Sequence, residues 1–187
     1  TIPISNRIKL LNWAKNSDAF IIEDDYDSEL SYHNRPIPSI QGLENNNNKV
    51  IYLGTFSKTL SPALRISYIV LPNQLLNLYH QTFDFRFSGI PIDIQKTLTL
   101  FLKEGHWEKH LRKIRNLNRK KHDSMKETLK EFLKDEIKIL REGSGLNLLI
   151  KPLVNMDLDK LDELCKQKGV KIYFKEFFNL ERVIALG

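Results

Sequence analysis

The sequence predicts an α/β protein, and two observations about its apolar residues lead to this fold class. In the first half, short apolar runs bounded by turn residues alternate with segments of helical apolar spacing, as strands and helices do around a parallel sheet. In the second half, a long basic helix precedes short strand-like runs and one further helix, which predicts a small α+β unit. A length of 187 residues suits one domain, or one and a fraction.

The elements of the first half follow from changes in apolar spacing. Ser5 is expected to cap a helix that runs to about Asn16. Three apolar runs predict buried strands, which are Ala19–Ile22, Val50–Leu53 and Ile66–Leu71. The remaining segments are two loops and a helical stretch: Asn34–Gly42, Asn45–Asn48 and Asn73–Lys103, the last broken near Ser88–Pro91.

The second half begins after Gly105, where a basic helix is expected from about His106 to Lys134. The segments that follow are strand-like Ile137–Leu140, a turn at Gly143–Gly145, strand-like Leu146–Ile150, a helix at Leu158–Lys168, a strand at Val170–Phe174 and the apolar run Val183–Leu186. Gly169 is expected at the C′ position, just past the end of the last helix. We place a boundary within residues 85–106 and divide the chain into residues 1–100 and 101–187.

Composition restricts the class of protein. Hydrophobic residues make up 41% and charged residues 28%, as in a globular protein. The longest strictly apolar runs have four residues, far below the roughly 18 that a membrane helix needs. The single cysteine, Cys165, excludes an internal disulfide and a zinc site with several thiolates, so a reducing compartment is expected. A net charge of +6 suits an anionic ligand or nucleic acid without showing either.

An acidic cluster follows the first predicted strand directly. It runs from Glu23 to Glu29 and includes Asp24, Asp25 and Asp27. In an open α/β sheet, ligands bind beyond the carboxyl ends of the strands, and a carboxylate there can bond a cationic ring nitrogen or a metal. The alternative is a solvated acidic turn or a helix N-terminus.

Lys58 follows the second predicted strand, among the small and hydroxyl residues Gly54, Thr55, Ser57 and Thr59. A lysine in such a place can be partly desolvated, which lowers its pKa and frees the amine for Schiff-base chemistry. The hydroxyls and amides beside it could hold a phosphate. The alternative is an ordinary exposed lysine.

Arg65 lies seven residues after Lys58, where the chain enters the third predicted strand. Guanidinium is the usual bidentate ligand of phosphate, although a surface ion pair is the commoner role of a single arginine. His106 and His110 have the i, i+4 spacing of a metal site on a helix, but no third ligand is evident and a solvated helix face is favoured.

Together, these three features resemble the site of fold-type-I enzymes that use pyridoxal 5′-phosphate (PLP). The segments IIEDDYDSEL at residues 21–30, RPIPSIQGL at 35–43 and VIYLGTFSKTLSPALRISYIVLP at 50–72 are similar to the aminotransferase-like domain of MocR-type regulators, in the GntR family of bacterial transcription factors. HWEKHLRKIRNLNRKKHDSM at residues 106–125 is also similar. The resemblance implies that residues 1–100 belong to the large PLP-binding subdomain and residues 101–187 to the small C-terminal one.

The resemblance also implies a role for each site residue. Lys58 would form an aldimine with PLP, and Asp24 would bond the pyridine nitrogen and keep it protonated. Tyr26 would bond the phenolic oxygen of the cofactor. Arg65 and Thr55, with Ser57 as a helper, would hold the phosphate, whereas Asp25 and Asp27 would support the site or be solvated.

For the whole protein, the resemblance implies a cytoplasmic homodimer that senses PLP or an amino compound and binds DNA through a winged-helix domain. That domain, the first part of the large subdomain and an effector-binding arginine after residue 187 are expected outside this chain. A genuine PLP-dependent aminotransferase is the alternative, since it needs the same lysine. A third hypothesis, without PLP, is an interaction module that uses its basic helix.

Overall fold

A computed structural model describes residues 2–31, 37–44, 49–83, 89–141, 147–155, 157–176 and 182–186. The chain forms two compact units. The first comprises Thr1–Glu29 and Arg35–Leu111, and the second comprises Leu30–Asn34 and Arg112–Gly187. The proposed division after residue 100 stays a prediction. The expected turns at Asn45–Asn48 and Gly143–Gly145, and part of the Asn34–Gly42 loop, lie outside the described residues.

The first unit contains a three-stranded sheet. Along the chain, helices precede the first strand, connect the first two strands and follow the third. Its elements are α1 (Ile4–Asn16), β1 (Ile21–Asp25), α2 (Ile40–Leu43), β2 (Val50–Thr55), β3 (Ser67–Val70), α3 (Asn73–Phe83), α4 (Ile92–Lys103) and the start of α5 (His106–Leu133). The strand order is β1-β2-β3. All three predicted strands are present, and Gly105, at φ +74°, separates α4 from α5 as expected.

The sheet is not wholly parallel, although the alternation of strands and helices predicted a parallel sheet. β1 and β2 pair in parallel, but β2 and β3 are antiparallel. The reason is the short connection between them, which contains a tight turn at Phe56–Leu60 and the 3-10 turn Pro62–Leu64 but no crossover helix. The Phe56 amide donates to the Ile66 carbonyl at 3.0 Å and closes this hairpin.

Two local predictions in the first unit were wrong. Ser5 does not cap α1, because the Pro3 carbonyl already accepts from the amides of Asn6 and Arg7 at 3.0 Å. The predicted loop ends early, because Ile40–Leu43 forms the short helix α2, which Ser39 caps. The α1 residue Leu11 packs with Ile40 and Val50 in the core of this unit.

The second unit is an antiparallel sheet with one helix packed on it. Its elements are the remainder of α5, β4 (Ile137–Arg141), β5 (Leu148–Pro152), α6 (Leu158–Gln167), β6 (Tyr173–Glu176) and β7 (Arg182–Leu186). The strand order is β4-β5-β7-β6, with every pairing antiparallel. Leu148, Ile150, Ile172 and Ile184 form its core.

Gly169 lies just past the end of α6 with φ +72°, as predicted. Its amide bonds the Lys166 carbonyl at 3.0 Å, and the Val170 amide bonds the Cys165 carbonyl at 2.8 Å. These two bonds form a Schellman motif. Among the residues described, no helix combines the length and apolarity that crossing a membrane requires.

Candidate functional site

The sheet register brings the predicted site residues to one edge. Asp24 pairs with Leu53, and Thr55 pairs with Ser67. Because β1 and β2 are parallel, their carboxyl ends meet at the same edge, and the antiparallel β3 begins there. A cavity of about 580 Å³ opens at this edge. All six predicted cofactor-binding residues line it: Asp24, Tyr26, Thr55, Ser57, Lys58 and Arg65.

Alternation along β1 separates the role of Asp24 from that of its acidic neighbours. The Glu23 carboxylate accepts from the amides of Ile40 and Gln41 at 2.8 and 3.0 Å and pairs with Arg7 at 3.2 Å. It therefore fixes the start of α2 against the strand. Asp24 lies on the opposite face and borders the cavity.

Asp25 also supports the structure around the cavity. Its carboxylate accepts from the Tyr52 hydroxyl at 3.0 Å and from the Ser28 amide at 3.1 Å. Burial, reinforced by the negative charge of Asp25, raises the pKa of Tyr52 far above its ordinary value. Tyr52 therefore stays protonated and keeps donating to Asp25 at neutral pH.

Lys58 sits in a single tight turn that runs from Phe56 to Leu60. The Leu60 amide donates to the Phe56 carbonyl at 2.8 Å and closes the turn. Thr55 orients its start, since its hydroxyl donates to the Ile66 carbonyl and accepts from the Ser57 amide, both at 3.1 Å. Of the two alternatives for Lys58, partial desolvation and an exposed lysine, the described residues give the exposed one.

Arg65 adopts the left-handed backbone conformation, with φ 50° and ψ 36°. This conformation costs a non-glycine residue about 1–2 kcal/mol. Ser61 fixes the turn before it by accepting from the Ala63 amide at 3.3 Å. The turn and the unusual backbone at its end bring Arg65 to the same cavity as Lys58.

Sequence reasoning missed Gly54 and Tyr68, which also line the cavity. A Cβ atom on Gly54 would lie 2.3 Å from Cζ of Tyr68, so only glycine lets the tyrosine ring lie across β2. The centroid of the Tyr68 ring lies 6.1 Å from that of Tyr52 and 5.4 Å from that of Phe56. Gly54 directly follows the predicted strand Val50–Leu53 and lies inside the observed β2, so a glycine at the end of a strand was the available signal for this close approach.

The two histidines of α5 differ in their surroundings. His106 is exposed, as expected, and its Nε2 lies 3.0 Å from a Glu104 carboxylate oxygen. His110 is half-buried, contrary to the solvated face predicted for it, and its Nε2 lies 2.6 Å from the Thr59 carbonyl. Within the described ranges, no group of three or more His, Cys, Asp or Glu side chains is placed to hold a metal ion.

The fold of the chain is that of the fold-type-I PLP-dependent aminotransferases. The chain aligns over its whole length with 47% of the kynurenine aminotransferase of Pyrococcus horikoshii, crystallised with PMP, at a TM-score of 0.83 and 28% identity. The predicted fold class is therefore confirmed. The scan against family models found no match.

Relatives in sequence then identify the branch. The chain is 44% identical to the HTH-type transcriptional regulator YdeL of Bacillus subtilis over 170 residues, which cover 91% of this chain and 36% of YdeL. It is 35% identical to the probable rhizopine catabolism regulatory protein MocR of Rhizobium meliloti over 178 residues, 94% of this chain and 36% of that protein. The chain belongs to the MocR-type regulators of the GntR family and spans about a third of the length of these relatives.

Proposed function

We propose that this chain binds PLP in the cavity at the ends of β1 and β2, with Lys58 as its covalent anchor. One observation carries the proposal. Six residues from three separate segments, each with a side chain suited to a part of PLP, line a single cavity of about 580 Å³. PMP in the related kynurenine aminotransferase supports the same ligand class.

The chemistry of the lining fits the parts of PLP. Asp24 offers a carboxylate for a protonated pyridine nitrogen, and Tyr26 offers a hydroxyl for the phenolic oxygen. Arg65 offers guanidinium donors for the phosphate. The Thr55 hydroxyl donates its proton to the Ile66 carbonyl, so Arg65 and Ser57 are the better phosphate donors while that bond persists.

When bound, PLP supplies an electron sink for reactions of amines. Lys58 would contribute the primary amine that anchors the cofactor at its aldehyde group. Asp24 favours the protonated pyridine ring through its negative charge.

For the whole protein, we propose regulation of transcription in the cytoplasm. The relatives YdeL and MocR are named as regulators, and the chain covers 36% of each. In this proposal, the domain senses PLP or an amino compound, and ligand binding shifts the states of a homodimer. In the same proposal, DNA is bound by a winged-helix domain of the whole protein.

A genuine aminotransferase is the second candidate. Its support is sequence similarity to an enzyme of that class. The chain is 29% identical over 185 residues to aromatic-amino-acid aminotransferase 1 of Thermococcus litoralis. The two candidates share Lys58, so only turnover separates them. The regulator should show little or no sustained transfer of amino groups between an amino donor and a keto acid.

The test is PLP titration of the full-length protein, followed by absorbance and by borohydride trapping with peptide mass spectrometry. We expect a visible absorbance band and a reduced adduct on Lys58. Lys58→Ala should lose both, whereas Lys103→Ala, a change at an exposed lysine of α4, should keep both. An unmodified Lys58, or the same spectrum in Lys58→Ala, contradicts the proposal.

A further inference from the structure

The first turns of α5 contact both ends of the turn that carries Lys58. We infer that His110 and Trp107 are positioning residues that hold the Lys58 amine toward the cavity. This inference rests on the proposed function, because it concerns the same lysine. It assigns a role to a histidine that lies outside the cavity lining.

His110 holds the turn just after the lysine. Its Nε2 lies 2.6 Å from the Thr59 carbonyl oxygen, 51 residues earlier in the chain. A carbonyl oxygen only accepts, so Nε2 carries the hydrogen in this contact. The bond therefore survives in both the neutral and the protonated imidazole.

Water is a poor substitute for this bond, because Thr59 is only 3% exposed. The Thr59 hydroxyl is buried as well, and it has no hydrogen-bond partner among the described residues. The hydrogen bond from His110 therefore satisfies the carbonyl oxygen of a residue that water hardly reaches. Removing the donor leaves a buried carbonyl unsatisfied.

Trp107 holds the other end of the turn. Its ring meets Phe56 edge to face at 5.4 Å, a geometry that aromatic pairs prefer. It also stacks on the His110 ring at 6.4 Å, and Phe101 of α4 approaches the same imidazole at 6.3 Å. Phe56 and Thr59 flank Ser57 and Lys58, so both sides of the lysine are fixed from one helix.

The decisive variants are His110→Phe, which removes the donor, and His110→Gln, whose amide nitrogen can restore it. We expect His110→Phe to weaken PLP binding about tenfold in the full-length protein. It should also shift the midpoint of the absorbance-detected pH titration of the lysine–PLP adduct. His110→Gln should recover most of both effects. His106→Phe is the matched control on the same helix and should match wild type.

Hydrogen exchange without PLP supplies a second readout. In His110→Phe, the Leu60 amide should exchange faster, whereas amides of the β2–β3 pair should keep their protection. Faster exchange throughout the first unit would mean a merely structural role and would overturn the inference. The inference would also be overturned if His110→Phe matched wild type both in PLP affinity and in the midpoint of the adduct's pH titration. Absence of any Lys58 adduct in wild type refutes the proposed function instead.

Discussion

At the scale of single residues, the neighbours of the cavity divide into groups that face a ligand and groups that fix the backbone. Asp24, Lys58 and Arg65 border the open cavity. In contrast, the carboxylate oxygens of Glu23 and Asp25 accept hydrogen bonds from backbone amides and from the Tyr52 hydroxyl. Since Lys58 is exposed, the role proposed for it rests on the groups around the cavity and not on burial by the described residues.

Tyr52 provides a prediction about alkaline pH. Burial raises its pKa in the folded chain, so its stabilising effect is present below its unfolded pKa of about 10 and is lost as the pH rises above that value. Tyr52→Phe should cost about 1 kcal/mol of unfolding free energy at pH 7, through loss of the Asp25 hydrogen bond. Between pH 9 and 11 it should lose less further stability than wild type.

The measurement is urea unfolding at pH 7, 9 and 11, with Tyr173→Phe as control because that residue is 49% exposed. Some alkaline dependence will remain in Tyr52→Phe, since burial raises the pKa of Tyr68 as well. An unchanged alkaline slope in Tyr52→Phe would contradict the assignment.

Much of the candidate site could be predicted from sequence because its signals are local. Lys58 and Arg65 lie in one short connection, and Asp24 comes two residues after the recognisable apolar run Ala19–Ile22. Tyr68 and His110 could not be predicted, because their contacts depend on register and on packing across 51 residues for the His110–Thr59 pair. The neighbours of Lys58 in sequence left two alternatives open, partial desolvation and an ordinary exposed lysine, and the side chain is exposed among the described residues.

At the scale of elements, helix ends show how backbone conformation selects a residue. The αL position after α6 satisfies two terminal carbonyls, and glycine adopts it without steric cost. A Cβ atom on Gly169 would meet no other atom within 4 Å. Any cost of substitution there therefore comes from the backbone and not from crowding.

Gly169→Ala should lower the free energy of unfolding by about 1 kcal/mol. Gly89→Ala is the matched control, since a Cβ atom there also meets open space and its φ is not positive. The control should be neutral or slightly stabilising. Urea denaturation of both variants tests this, and an equal effect of the two changes would refute the conformational explanation.

Sequence reasoning predicted the elements better than their pairing. Helices with long apolar periodicity, such as α5 and α6, were expected within one residue of their observed ends. β1 was expected over Ala19–Ile22 but covers Ile21–Asp25, because pairing with β2 extends through the acidic residues. The antiparallel direction of β3 leaves no trace in its apolar run, and the available signal was the short connection after β2.

At the scale of the whole molecule, the positive charge of the chain is concentrated on one helix. α5 carries nine Lys and Arg residues against four Asp and Glu, while the chain as a whole has a net charge of +6. Such a helix could attract nucleic acid through its phosphates. The regulator hypothesis gives it no such role, because it places DNA contacts in a domain outside this chain.

Salt dependence separates these two roles of α5. In the full-length protein, we expect the combined change of the exposed residues Arg119, Lys120 and Lys121 to glutamine to leave the salt slope of operator binding unchanged. If each side chain neutralised a phosphate, the slope of log affinity against log salt would shrink by about 2.7. Fluorescence anisotropy from 50 to 300 mM salt measures it, with Lys58→Ala in parallel. A slope reduced in the triple variant but not in Lys58→Ala would favour the interaction module, since binding through α5 does not need the lysine of the cavity.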